Sequence, residues 1–365
     1  MKVMLTVGRY FKQKFGYKVR KIPISLSGFT CPNIDGTVAK GGCIYCKNET
    51  FSPSLVLKKQ ASQAAKNLAP TNPGDALDST SAPSPVNSNP ANPTAPTSAK
   101  WQAAPSPKVT MNFKLEHNPL LPKQLEELEA QFYHHSSFHR EKFGISKYLV
   151  YFQSFTNTYA PFDTLKALYT RALELPDVVG LSIGTRVDCV DSKLLDFLGD
   201  FVKAGKEIWL EYGIQSIYEE TLALTNRGHS MAGVRELFEE TRKRGIKVCA
   251  HLIYGLPNES VPMMLTSLQT MLDYGIDSLK IHPLYVVEGT ALARLHKKGE
   301  YEPISLEDYG EAIAQSLRLI PPTVIVQRVS AGAHDESLIA PSWCFDKNVQ
   351  MKYLRERLKR EGIAY

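Results

Sequence analysis

The chain has 365 residues, a formal net charge of +6 and an apolar fraction of 43%, enough for one large domain or two ordinary ones around a buried core. No apolar run approaches bilayer length, and the N-terminal "MKVMLTVGRYFKQKFGYKVRK" has neither the apolar centre nor the cleavage site of a secretory signal. Membrane-spanning and disulfide-stapled secreted classes are thereby set aside. The expected setting is the cytosol, where clustered cysteines serve as metal ligands or catalysts. Basic clusters at residues 12–21, 242–247 and 352–362 suit a polyanionic partner such as RNA, or are ordinary solvated helix faces.

In chain order, the first predicted strand is "KIPISL" (residues 21–26), followed directly by "GFTCPNIDGTVAKGGCIYCKN" (28–48), which holds three of the six cysteines. Residues 61–109 are rich in Pro, Ser, Ala, Asn and Thr and almost free of bulky apolar side chains. Such a segment cannot bury enough surface to offset its ordering entropy, and reads as a disordered insertion in a surface loop. Strand runs then recur at "KYLVYFQSF", "VVGLSIGT", "EIWLEYGI", "KVCAHLIYGL", "SLKIHPLYV" and "TVIVQRV". Helix-patterned stretches separate them: "PKQLEELEAQFYHHS", "PFDTLKALYTRALEL", "DSKLLDFLGDFVKAG", "MAGVRELFEETRKRG" and "VPMMLTSLQTMLDYG".

Strands buried on both faces and alternating with helices imply a parallel sheet. The expected fold class is α/β, a full or partial (β/α) barrel of about six strands, with a doubly wound open sheet as the alternative. The expected parts are residues 1–60 (first strand and cysteine loop), 61–109 (insertion), 110–320 (rest of the barrel) and 321–365 (a C-terminal strand and helix extension). Both folds gather their chemistry at the C-terminal ends of the strands.

The cysteine spacing is Cys31-x11-Cys43-x2-Cys46. A close CxxC pair lets two thiolates reach one metal, and the long loop brings back a third. Three thiolates suit an iron–sulfur cube with one iron left open to a small molecule. Zinc would need a fourth ligand that no knuckle spacing provides, and a CxxC redox pair would leave Cys31 idle. All three readings stand on the residues alone.

The loop, placed after a first barrel strand and with Tyr45 before the third cysteine, resembles the radical S-adenosylmethionine (SAM) superfamily. Its long first gap, with "GFTCPN", "DGT" and "GGC" inside it, is similar to the YhcC/YtqA-like branch near the catalytic subunit of Elongator. The resemblance covers nearly the whole chain outside the insertion. "YFQSFTNTYAP" stands where most members carry Gly-Gly-Glu for the SAM amine, which implies Gln153, Ser154 and Thr156 at that place. "SIGTRVDC" is similar to the "TRPD" of Elongator-like proteins, with Val187 in place of proline. "LEYGIQS" followed by "TNRGH" resembles the region that holds the SAM ribose and carboxylate, and "HLIYGLPNE" the element under the adenine.

The resemblance implies a [4Fe–4S] cluster on Cys31, Cys43 and Cys46, with SAM on the open iron. An electron from a donor such as flavodoxin or ferredoxin then generates a 5′-deoxyadenosyl radical that abstracts a substrate hydrogen. Arg227 is expected to fork onto the SAM carboxylate, or else to form a surface ion pair. Glu211 and Gln215 are expected at the ribose, or to satisfy interior partners. His251 is expected at SAM or substrate, or as a core histidine, and Gly255 where backbone approaches the cofactor. Lys280 and His282 share a strand face and suit an anionic substrate. Cys249 reads as a small core residue, while Cys189 and Cys344 are candidate relays of a radical or proton. Kinship to Elongator and the basic balance favour RNA, a tRNA nucleoside, as substrate; a small metabolite or a protein side chain are the alternatives. A non-catalytic zinc-stabilised RNA-binding module is the remaining class.

Long surface insertions add little closure entropy. Deleting residues 61–109 is therefore expected to leave the unfolding midpoint unchanged; a variant that fails to fold would show that the segment packs into the core.

Overall fold

The computed structural model describes residues 1–47, 118–332 and 337–365; the insertion expected at 61–109 lies outside the described residues. The chain opens with β1 (Lys2–Val3), α1 (Val7–Phe15) and β2 (Arg20–Ile24). Beyond the cysteine loop come α2 (Leu121–Phe143), β3 (Tyr148–Phe152), α3 (Phe162–Glu174), β4 (Val178–Thr185) and α4 (Ser192–Lys203). There follow β5 (Glu207–Gln215), α5 (Glu219–Leu224), α6 (Val234–Lys243), β6 (Lys247–Tyr254), α7 (Val261–Asp273) and β7 (Ser278–Pro283). The last part holds β8 (Val286–Val287), α8 (Ala291–Lys297), α9 (Leu306–Leu319), β9 (Ile325–Arg328), β10 (Leu338–Ala340), α10 (Lys347–Arg360) and β11 (Ile363–Ala364).

Seven strands form one parallel sheet in the order β2-β3-β4-β5-β6-β7-β9, the order in which they occur in the chain. Each of the seven strand runs read from the sequence takes part. The sheet stays open between its edge strands β2 and β9, so the fold is a partial (β/α) barrel. Burial explains why the strands carry no apolar–polar alternation: eight of the nine residues of β5 are buried, as expected where helices cover one face and the barrel interior fills the other. The barrel continues past the boundary expected at residue 320. β9 pairs with β7 through Ser278↔Ile325 and Leu279↔Val326, so the C-terminal extension begins only after it.

Local chemistry sets the helix ends. The side chains of Thr6, Asp191, Thr290 and Ser305 cap α1, α4, α8 and α9 by accepting backbone N–H groups. α1 and α2 stop at Gly16 and Gly144, both in the left-handed conformation. β1 pairs in parallel with β11, Lys2↔Ile363 and Val3↔Ala364, and α1 packs its Phe11 against Leu149, Trp209, Cys249 and Ile325. Among the described residues no helix is long and apolar enough to cross a membrane.

Gly180, on β4, is required by close backbone approach. A Cβ there would stand 1.8 Å from the carbonyl oxygen of Glu207 on β5. Gly180→Ala should therefore lower stability by at least about 1–3 kcal/mol through overpacking; an unchanged midpoint in chemical denaturation would contradict the packing at this strand pair.

Candidate active site

The loop after β2 reverses in tight turns, with Ile34 N–H donating to the Cys31 carbonyl at 2.8 Å and Cys46 N–H to the Cys43 carbonyl at 2.9 Å. Gly41 and Gly42, at φ +82° and +75°, make the reversal that delivers Cys43. Cys31 and Cys43 are buried and Cys46 is partly exposed. All three line a cavity of about 490 Å³, whose wall is otherwise built by the strands and the loops at their C-terminal ends.

The segment after α5 is the platform for this loop. Asn33 Nδ2 donates to the carbonyls of Asn226 and Arg227, each at 2.6 Å, and Asn226 Nδ2 donates to those of Lys40 and Gly42 at 3.0 and 2.7 Å. Two buried guanidinium groups back the thiols. Arg186 Nη1 lies 3.9 Å from Cys31 Sγ and also donates to Asn33 Oδ1 and the Arg227 carbonyl, both at 2.9 Å. Its other edge forks onto Asp188 at 2.8 and 2.6 Å. Burial opposes the Arg186 charge, but Asp188 outweighs it and raises the pKa.

Arg227 departs from one of the two expectations placed on it. It is 7% exposed and lines the cavity, so it is no surface ion pair. Its Nη2 donates to the Gly213 carbonyl at 2.6 Å and its Nη1 faces Cys43 Sγ at 3.9 Å, while Nε is buried without a partner. Gly213 makes room for this crossing, since a Cβ there would come within 2.7 Å of Arg227 Nη2. Tyr45 lines the same cavity, and burial, then the nearby Cys43, raises its pKa well above the ordinary value.

Gln153, Ser154 and Thr156, after β3, all line the cavity, as does Gln215 at the end of β5. Ser154, Phe155 and Gln215 adopt left-handed φ of +68°, +57° and +71°, conformations that side-chain-bearing residues avoid and that gather at functional sites. Ser154 Oγ is buried without a partner.

Glu211, at the cavity floor, takes the second of its two expected roles. Its Oε1 accepts from Lys21 Nζ at 2.5 Å and Ser182 Oγ at 2.6 Å, and its Oε2 accepts from Lys280 Nζ and from His251 Nε2, the latter at 3.0 Å. Burial alone would raise its pKa, but Lys21 and Lys280, then His251, outweigh burial and hold the carboxyl well below the usual range. Burial lowers the Lys21 pKa to about 8, against the pull of Glu211. Glu211, Cys249 and His251 bring donor atoms within 4.8 Å of one another, yet the two ammonium groups already occupy the carboxylate, so a further cation would be repelled there.

His251 lines the cavity and stacks with His282 at a ring separation of 6.0 Å. Burial first, then Lys280, pushes its pKa down to about 4. Gly255 departs from expectation. It does not line this cavity but a second one, and its glycine is explained by φ of +86° and by Ile304, whose Cγ2 would lie 2.8 Å from a Cβ. Cys189 and Cys344 are buried outside the cavity wall, with pKa values raised by burial. Cys249 is a buried strand residue whose pKa burial pushes up to about 12. The expectations did not include Lys21, Asn33, Arg186, Arg328 or Lys347, of which the first four stand inside runs already singled out. Lys21 carried a signal as the charge heading the run with the fully buried Ile22 and Ile24.

The family described as "Radical SAM superfamily" matches residues 117–271, and the family described as "Radical_SAM C-terminal domain" matches residues 276–360. Protein YhcC of Escherichia coli (strain K12) is 31% identical over 362 residues, covering 99% of this chain and 94% of its own. Protein YtqA of Bacillus subtilis (strain 168) is 30% identical over 357 residues, covering 98% and 90%. Among solved structures, archaeal Methanocaldococcus infernus Elp3 with an N-terminal deletion aligns with a TM-score of 0.53 and 22% identity, over 67% of this chain and 61% of that one.

Three histidines in and behind the cavity, His229, His251 and His282, have pKa values lowered by burial first and then by neighbouring cations. Each is neutral when folded and takes a proton near pH 6.5 when unfolded, so stability should fall as pH drops from about 6.5 toward about 4.5. The depressed Glu211 pKa adds stability that is lost only below that window. His282→Gln should reduce the slope of unfolding free energy against pH by about one proton; an unaltered slope would show that the ring already titrates normally in the fold.

Proposed function

The chain belongs to the radical SAM superfamily, and from that premise we propose an enzyme in which Cys31, Cys43 and Cys46 hold a [4Fe–4S] cluster beside bound SAM, acting on a nucleoside of tRNA. Once bound and reduced by a flavodoxin or ferredoxin, that pair supplies a 5′-deoxyadenosyl radical able to take a substrate hydrogen. The observation that carries the reading is the placement of three thiols from one loop on the wall of a cavity at the strands' C-terminal ends.

The residues present fit the pair. Thiolate ligands are soft donors for iron and add negative charge, and the Arg186 and Arg227 guanidinium groups stand 3.9 Å from two of the sulfurs to offset it. Hydrogen bonds and charge around such sulfurs tune the potential. Buried polar atoms without partners, Ser154 Oγ and Arg227 Nε, remain for a polar ligand. A cavity of about 490 Å³ is of a size that takes nucleoside-sized ligands. Glu211, held by Lys21, Lys280 and His251, keeps the floor of this partly enclosed cavity charged and ordered.

For substrate, the support is electrostatic. α10 presents Lys352, Arg355, Lys359 and Arg360 to solvent, a footprint suited to a phosphate backbone.

Anaerobically reconstituted protein should bind about four irons. Cys31→Ala, Cys43→Ala and Cys46→Ala should each abolish the cluster while Cys249→Ala keeps it; full iron content in any of the first three would sink the ligand assignment. Comparing modified nucleosides between a deletion strain and its parent tests the substrate, and a changed metabolite or protein with intact tRNA would replace that part of the reading.

A further inference from the structure

The far end of the cavity from the thiols is built by elements that no cofactor role has absorbed. Arg328, the last residue of β9, stands in register beside Lys280 of β7, and both line the cavity with Tyr285 and His282. Lys347, at the first turn of α10, lines it at the solvent side. Lys280 is spent on Glu211, which it shares with Lys21. Among the described residues, Arg328 and Lys347 have no acidic partner, and Asp346, next to Lys347, accepts from Asn348 N–H at 2.7 Å.

Two further observations point inward. His282 Nε2 is buried without a hydrogen-bond partner. Burial first, and then the charge of Arg328, keeps the His282 ring neutral, so it can present an N–H to a ligand without adding a third cation. An unpaired guanidinium and ammonium converging on a partly enclosed cavity repel each other unless an anion lies between them. The pairing of β9 with β7 fixes the backbone at Arg328, while the exposed Lys347 side chain is free to move toward a ligand.

We propose that Arg328 and Lys347, with His282 beneath them, form a subsite for an anionic group of the substrate, a phosphate or a carboxylate. The inference rests on the reading above, in which the substrate shares this cavity with the cofactors. It adds how the substrate is held, with its charged group toward the open β9 edge and its reacting carbon toward the cysteine loop. Arg328 supplies a planar fork that matches either oxyanion, and Lys347 a point charge at the entrance.

The full chain is titrated at low ionic strength with inorganic phosphate and, separately, with acetate, following ³¹P and ¹H line broadening. One of the two ions should bind, and Arg328→Gln and Lys347→Gln should each weaken it about tenfold or more, as expected for a lost charge-assisted hydrogen bond. The ion that binds more tightly identifies the substrate group as phosphate or carboxylate. Lys166→Gln, which removes an exposed charge on α3, should leave ion binding unchanged. Lys347 is exposed, so its replacement is expected to fold, which keeps the test open if Arg328→Gln does not. Ion binding indifferent to both substitutions, or weakened equally by Lys166→Gln, would overturn the subsite. A loss of SAM affinity in place of ion affinity would overturn it too, by assigning the cations to the carboxylate of SAM. Iron content, measured on the same samples, reports separately on the functional reading, so a chain without a cluster that still binds the ion fails that reading and not this subsite.

Discussion

One buried carboxylate organises the interior of the partial barrel. Glu211 lies at the middle of the sheet and receives Lys21 from the first strand and Lys280 from the sixth, while Lys21 also donates to Gln327 of the last strand at 2.6 Å. The edge strands β2 and β9 share no backbone pairing, so these side-chain bonds are what tie the two open edges across the lumen. Charges buried this deeply require partners, and removal of one member would strand the others. The polar floor therefore acts as a constraint on curvature. The cavity above it exists because the strands are held in an arc and the lumen cannot be filled by apolar side chains there.

The same logic governs the thiol end. A loop bearing three cysteines has little apolar surface with which to anchor itself. It is held instead by amide-to-carbonyl bonds from Asn33 and Asn226 and by guanidinium groups that reach the sulfurs. Gly213 and Gly228 are the spaces through which these partners pass; a Cβ at Gly228 would lie 2.6 Å from Asn33 Oδ1. Left-handed backbone at Ser154, Phe155 and Gln215 stores strain on the opposite wall, and such strain persists only where surrounding structure enforces it. Rigid strands thus carry the cost of an irregular, polar rim, and the irregular rim is where chemistry is placed.

The sequence by itself determined the strand runs, their parallel sense and the cysteine loop with its spacing. These are local properties. Apolar runs between helix periods imply strands buried on both faces, and spacing along a loop sets which thiols can meet. Motif position also brought Gln153, Ser154, Thr156, Gln215 and His251 to the cavity wall. What it did not determine were pairings through space. Arg227 lies 184 residues from Cys43, and Lys21 lies 190 from Glu211; no local pattern reports such contacts. The approach of Arg227 to a sulfur, the spending of Glu211 on two lysines and the placement of Gly255 on another cavity follow from how the strands curve. So does the membership of β9 in the sheet, because β7 offered a free edge and β8, only two residues long, did not take it. A strand's partner is chosen by which edge remains unpaired once the rest has folded, and that is a property of the tertiary structure alone.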